Sequence, residues 1–287
     1  MTDRKTIWVT GVNGQLGNEL RIIAPTYTDL KFIFTTRSEI DIENIGDVES
    51  FLSTNSIDIC INAAAYTAVD LAEKERDVAM RANGLAVGDL AAQCRLHHIK
   101  FLHVSTDYVF NGQAEIPYKE QDTTDPVNYY GETKLKGEEL ALENNEDCLI
   151  VRTSWVYSRF GKNFVKTMMR LMKEKESIGV VSDQFGSPTY AADLAKALVH
   201  LAINSSAPGV YHYCNEGIIS WFDFASAIGT LTRSSCEVKP INTSQYPTPA
   251  KRPAYSALDT SKFKAETGLD IPDWQSSLEE CIRLLSK

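Results

Sequence analysis

A hydroxyl, a phenol and an ammonium group follow one another along this chain at informative spacing. Thr106 lies in Ser105-Thr106-Asp107-Tyr108-Val109-Phe110, and Lys134 follows Tyr130 by four residues in Tyr130-Gly131-Glu132-Thr133-Lys134. A ketone that receives a hydride becomes an alkoxide, which needs a proton and an electrostatic clamp as it forms. A free tyrosine has a pKa of about 10, and a nearby ammonium favours its phenolate. Residues four apart share one face of a helix, so Tyr130 and Lys134 can address the same space. Thr106 stands at the carboxyl end of an expected parallel strand, where open α/β sheets bind ligands. Each feature is common when alone. Tyr-x-x-x-Lys occurs on solvated helices, and hydroxyls often cap strand ends. Their order behind a glycine loop favours hydride and proton transfer.

That loop is Gly11-Val12-Asn13-Gly14-Gln15-Leu16-Gly17, after the apolar run Thr6-Ile7-Trp8-Val9-Thr10. The first glycine permits a tight turn, the second lets backbone approach a pyrophosphate, and the third lets helix pack on strand. The N–H groups at the helix start then face the phosphates. An ordinary strand–turn–helix corner shows the same glycines, but the first strand of an alternating chain favours a nucleotide. The next strand ends in Phe34-Thr35-Thr36-Arg37-Ser38, without the acidic residue that would hold the ribose diol of NAD. Arg37 fits a 2′-phosphate, which points to NADPH with NADH as the alternative; a solvated arginine fits too. Asp41 and Ile42 are expected at the adenine, although Asp41 also reads as a helix cap. Ala63, Ala64, Ala65 and Tyr66 follow a strand ending at Asn62, and small residues there let a cofactor lie close or simply pack tightly.

These groups need a scaffold. Short apolar strands are expected near residues 6–10, 31–35, 58–62, 100–104 and 148–151, with helical segments at 15–23, from 70 towards 97, and at 130–144. The alternation predicts an α/β fold, a doubly wound parallel sheet of Rossmann type. Residues 1–156 are expected to form the dinucleotide-binding core. Residues 157–287 are expected to form mainly a smaller α/β substrate lobe, with some segments returning to the core. Helices are expected there at 163–173, 191–204, 220–232 and from Trp274, and a strand at 209–213. Tyr246-Pro247-Thr248-Pro249-Ala250-Lys251-Arg252-Pro253 cannot form a regular element, because each proline fixes its own φ and restricts its predecessor.

Composition narrows the function classes. With 43% hydrophobic and 23% charged residues the chain is ordinary for a globular protein. No apolar run reaches the length of a membrane span, and residues 1–5 lead into a strand rather than a signal-peptide core, so cytoplasmic residence is expected. A net charge of −9 without a basic stretch disfavours nucleic acid as a partner. Six scattered cysteines, with no Cys-x-x-Cys pair, argue against a disulfide framework and a zinc site.

Taken together, these residues resemble the extended short-chain dehydrogenase/reductases, and within them the dTDP-4-dehydrorhamnose reductases. The likeness covers nearly the whole chain. It rests on residues 62–70, 105–110 and 130–134, on Arg152-Thr153-Ser154-Trp155-Val156-Tyr157, on Asp183-Gln184-Phe185-Gly186-Ser187-Pro188-Thr189, and on residues 247–253. The resemblance implies that Tyr130 donates a proton to a 4-keto oxygen, that Lys134 lowers the tyrosine pKa and holds the nicotinamide ribose, and that Thr106 bonds the carbonyl. Asp107, Trp155 and Arg252 would meet a dTDP-keto sugar, Arg252 at its diphosphate. Trp155 reads equally as a core aromatic, and Arg252 as a surface arginine. A nicotinamide-binding regulatory subunit and a nucleotide-sugar epimerase remain alternatives, and the assembly is expected to be a monomer or homodimer. Some members are described with magnesium held by interface glutamates. Glu19 matches one such position, but Ala192, beside Asp193, stands at another. No metal ligand is therefore assigned, and Glu19 is expected to be a solvated helix carboxylate.

Overall fold

The computed structural model describes residues 4–204 and 207–286, so the first three residues of the expected lead-in fall outside it. Alternation of side chains decides the architecture. In β1 (Lys5–Thr10), Ile7 and Val9 join one apolar core while Trp8 joins another. The same division separates Ile59 and Ile61 from Cys60 in β3 (Ile59–Asn62), and Leu102 from Phe101 in β4 (Lys100–Thr106). In β5 (Leu149–Thr153), Leu149 and Val151 oppose Ile150. A strand buried on both faces is the mark of a parallel sheet covered by helices on both sides.

With β2 (Leu30–Phe34) and Gly209–His212, the described residues form a six-stranded, all-parallel sheet. Its order is β2-β1-β3-β4-β5 and then Gly209–His212. The chain moves outward from β1 to β2 and reverses to reach β3. The crevice at the carboxyl ends of β1 and β3 is therefore the switch point at which such sheets take ligands. Helices Gln15–Ile23 and Ala191–Asn204 cover one face, and Ile45–Thr54, Ala86–Leu96 and Tyr129–Asn144 the other. The sixth strand and Ala191–Asn204 both come from beyond residue 156.

The expected long helix from residue 70 is broken. Val69–Ala72 and Arg76–Met80 lead into a π-helical turn, Arg81–Leu85, before Ala86–Leu96. Asn83, fully buried in that turn, accepts from Tyr66 N at 2.8 Å and donates to Tyr66 O at 2.9 Å and Thr133 Oγ1 at 3.1 Å. The turn thus ties the cleft-side residue 66 to the helix bearing Tyr130, a use typical of π-bulges.

A second core lies among Phe164–Glu174, Trp221–Leu231 and Trp274–Leu285, centred on Phe224, Val165 and Leu278. Beside it, Ser177–Val181 and Glu237–Ile241 pair as parallel strands. Neither was expected from the pattern: Glu237–Ile241 carries two charges and Pro240 and buries no residue fully, as an edge strand can. Among the described residues, no helix is long and apolar enough to cross a membrane.

Candidate active site

A cleft of about 890 Å³ opens at the carboxyl ends of β1, β3 and β4 and extends to Trp155 and Trp221. The glycine loop forms one wall. Gly11 has φ +67°, and a Cβ there would lie 2.5 Å from Ala64 N and 2.6 Å from the Ala63 carbonyl. Its missing side chain is what lets the loop rest on the end of β3. Gly14 N donates to Gly11 O at 3.0 Å, and Gly14 caps Gln15–Ile23 without any side-chain bond to the first N–H groups. Those N–H groups are open to an anion. Gly17 does not line the cleft; a Cβ there would collide with the Val12 backbone, so its role is close packing of the helix on the loop that precedes it. Gly11→Ala is expected to weaken dinucleotide binding at least tenfold and to cost about 1–3 kcal/mol of stability through a strained φ. Cofactor titration and a thermal melt check this, and unchanged binding would refute it.

Asn13, Gln15 and Leu16 line the same wall. The Gln15 side chain turns to the second part of the chain, donating to Val156 O at 3.3 Å and accepting from Asn163 Nδ2 at 2.8 Å. Arg37, Asp41, Ile42 and residues 63–66 continue the lining. Arg37 is two-thirds exposed and reaches both Asp41 (3.2 Å) and Glu43 (2.8 Å). Asp41 accepts from Glu43 N, whereas Asn44 caps the following helix.

The chemistry sits opposite. Thr106, Asp107, Tyr130 and Lys134 all face the cleft. Thr106 Oγ1 donates to Asp107 Oδ1 at 3.0 Å and accepts from Tyr108 N at 3.3 Å. Burial pushes the Asp107 carboxyl up to about 7, against hydrogen bonds from Ser256 and Thr106, and its Oδ2 has no hydrogen-bond partner. Burial, then the Asp107 charge, raises the Tyr130 phenol above its usual range, while a bond with Thr106 acts in the opposite sense. Lys134 was expected to lower that phenol. Here the raising causes prevail; Lys134 is itself only 1% exposed and is turned toward β4, where Nζ donates to Val104 O at 2.8 Å and lies 2.9 Å from His103 Nε2. Burial also pushes Lys134 down to about 8. The phenol therefore stays protonated at neutral pH, the state a proton donor needs.

Trp155 follows β5 with φ +47°, unusual for an aromatic residue. Thr189 N donates to its carbonyl, and its indole stacks on Trp221 with centroids 3.5 Å apart. Beside the indole is Gly186, where a Cβ would lie 2.8 Å from Trp155 Cε2. Such local strain, about 1–3 kcal/mol, persists when surrounding packing enforces it. Arg252 does not line the cleft. It grips Asp70 through two bonds of 2.7 and 3.0 Å, and this guanidinium holds the Asp70 carboxyl below its usual range. Asn128 donates to Lys251 O and caps the helix carrying Tyr130. The proline-rich segment is thereby strapped to the helix that carries Tyr130 and Lys134. Sequence reasoning assigned no role to Asp70, Asn128 or Trp221, and no local spacing signals their contacts.

Glu19 corrects the expectation of a solvated carboxylate. It is 1% exposed, accepts from Ser158 Oγ at 2.7 Å, and has Arg159 at 3.8 Å, because its helix face packs under residues 158–159. Asp193 is engaged by Asn215 and Ser277. Among the described residues, no group of three or more His, Cys, Asp or Glu side chains is arranged to hold a metal.

A family profile described as "RmlD substrate binding domain" matches residues 5–286. The chain belongs to this family. Over 98% of its length it is 41% identical to the dTDP-4-dehydrorhamnose reductase of Burkholderia thailandensis, 99% of which is covered. A dTDP-4-dehydrorhamnose reductase from Clostridium acetobutylicum superposes with a TM-score of 0.95 at 39% identity, over 98% of this chain and all of that one. The Bacillus anthracis dTDP-4-dehydrorhamnose reductase, solved in complex with NADP, gives 0.94 at 38% identity over the same shares. As a member of the RmlD family, the chain has the Rossmann-type fold and oxidoreductase character that its motifs predicted.

Proposed function

We propose that this protein reduces the 4-keto group of dTDP-4-dehydro-6-deoxy-L-mannose with NADPH, giving dTDP-L-rhamnose, the final step of that biosynthesis. The observation that carries the reading is the convergence of Thr106, Tyr130 and Lys134 on one cleft with the glycine loop. A cleft of about 890 Å³, with a cradle that a Cβ at Gly11 would fill, suits a dinucleotide. When bound, the nicotinamide supplies the hydride. Tyr130 gives its proton to the carbonyl oxygen, Thr106 orients that oxygen, and Lys134 holds the ribose and recharges Tyr130. Trp155 and Asp107 bind the sugar, and Arg252 meets the diphosphate by exchanging its Asp70 partner for it. Residues 1–156 serve as cofactor core and 157–287 mainly as substrate lobe. The reading fits a cytoplasmic enzyme, since its six buried cysteines are free thiols.

The test is NADPH consumption by the purified chain with the dTDP-keto sugar, repeated with NADH. Net consumption of NADPH separates reduction from epimerisation, which regenerates its nicotinamide. Folded, cofactor-loaded protein that leaves NADPH untouched would remove the reading. Arg37 is the residue for the 2′-phosphate, and a charge-assisted bond contributes about 1.5–3 kcal/mol. Arg37→Ala should raise KM for NADPH about tenfold or more and leave KM for NADH unchanged. Equal effects on both cofactors would return Arg37 to a surface role.

A further inference from the structure

Behind Lys134 runs a buried row of polar side chains that the reaction above does not use. Thr10 Oγ1 donates to Asn62 Oδ1 at 2.6 Å, and the Ala64 backbone N–H donates to the same oxygen at 3.2 Å. Asn62 Nδ2 lies 3.0 Å from His103 Nδ1, and His103 Nε2 lies 2.9 Å from Lys134 Nζ. Asn62 and His103 are completely buried.

A backbone N–H cannot accept, so Ala64 sets the Asn62 amide with its oxygen toward the loop and its NH₂ toward His103. His103 Nδ1 must then be the acceptor. Burial, and next the Lys134 charge, hold this imidazole well below its usual value, so it is neutral. A neutral ring carries one N–H, which is left to Nε2. That N–H points at Lys134 Nζ, and an ammonium nitrogen has no lone pair to receive it.

We propose that Asn62 locks His103 in its Nε2–H tautomer, and that His103 is a positioning residue whose N–H draws Lys134 toward the neutral amine. The amine keeps one N–H on Val104 O and presents the other to the cleft. The proposal rests on Lys134 as partner of Tyr130 and gives that partnership a direction. A lysine that exchanges its proton near neutral pH can pass one to the Tyr130 phenolate left after turnover. The Nζ–H bond breaks, the phenolic O–H forms, the lone pair left on the amine accepts a hydrogen bond from the His103 N–H, which keeps its proton, and a proton from solvent in the cleft then restores the ammonium. An ordinary lysine, with a pKa of about 10.4, would give its proton to so basic a phenolate less readily than one already drawn toward the amine.

Glu138, one turn further on the same helix, favours the ammonium, but its carboxylate is taken by Arg152 of β5. From β4 and its end come His103 and Asp107, and Tyr130 precedes Lys134 on its own helix. Burial acts in the same direction as His103.

Two measurements on the full chain, neither needing substrate, decide the matter. With ¹⁵N-labelled histidine, and His103→Gln to assign the signal, His103 should carry its proton on Nε2; a proton on Nδ1 overturns the lock. With ¹³C-labelled lysine, and Lys134→Met to assign the signal, His103→Phe should move the Lys134 titration upward by about half a unit or more, since a donor to the neutral form is lost. A downward shift or none overturns the proposal, because a histidine that accepted from the ammonium would give that sign. If His103→Phe does not fold, the tautomer alone decides. Both results can hold in a protein that does not reduce the keto sugar, so failure of the reductase reading remains distinguishable.

Discussion

Tyr130→Phe should lower kcat for keto-sugar reduction by about 10²–10⁴-fold, the usual worth of a positioned general acid. The substitution removes one oxygen and keeps the ring that meets Tyr108 edge-on at 6.0 Å. Fold and cofactor affinity should therefore survive, and the loss should fall on kcat rather than on KM. The raised proton affinity of this phenol makes the test clean. Burial and Asp107 hold the proton in place across neutral pH, so wild-type turnover should be limited by delivery and not by protonation of the tyrosine. Steady-state kinetics with a parallel cofactor titration measure both quantities. A loss of less than tenfold would mean that another group or a water supplies the proton.

Glu138→Leu should destabilise the protein by about 3–5 kcal/mol, because it strands a buried guanidinium. Arg152 Nε lies 3.0 and 3.1 Å from the two Glu138 carboxylate oxygens and Nη2 lies 2.6 Å from one of them, with side chains only 5% and 2% exposed. The remaining company of Arg152 is poor: Glu120 O at 3.4 Å and the Phe110 ring at 5.0 Å. In a domain of this size the loss corresponds to a fall in Tm of roughly 10 °C. The double variant Glu138→Leu with Arg152→Met should recover most of it, since replacing a whole buried pair by apolar groups is often nearly neutral. Denaturant curves of the single and double variants check this. A single variant within about 1 kcal/mol of the parent would show that water reaches the guanidinium.

The parallel sheet was legible because Ile7, Trp8 and Val9, or Ile59, Cys60 and Ile61, are apolar on both faces and end in glycine or small residues. Tyr130 and Lys134 were legible because their relation is local, one helical turn. Interactions between distant residues were not. Asp70 and Arg252 are separated by 182 positions, and neither neighbourhood marks the other. His103 read as one polar residue in an apolar strand, since nothing in the sequence shows which side chains meet its two nitrogens. The left-handed φ of Trp155 has no compositional sign, because glycine or asparagine would be expected there. Glu19 misled for a related reason: a carboxylate on the first helix looks solvated until Ser158 and Arg159 are seen to close over it.

Gln15 and Glu19 lie one turn apart on the helix that starts at the glycine loop, and they hold Asn163 and Ser158. Asn163 in turn caps Phe164–Glu174, the first helix of the second core. Whatever orders the start of the first helix therefore also orders the start of the other. The two ends of the cleft share one mechanical joint, and linkage makes any resulting preference mutual: the factor by which a filled cofactor end tightens the sugar end must equal the factor felt in return.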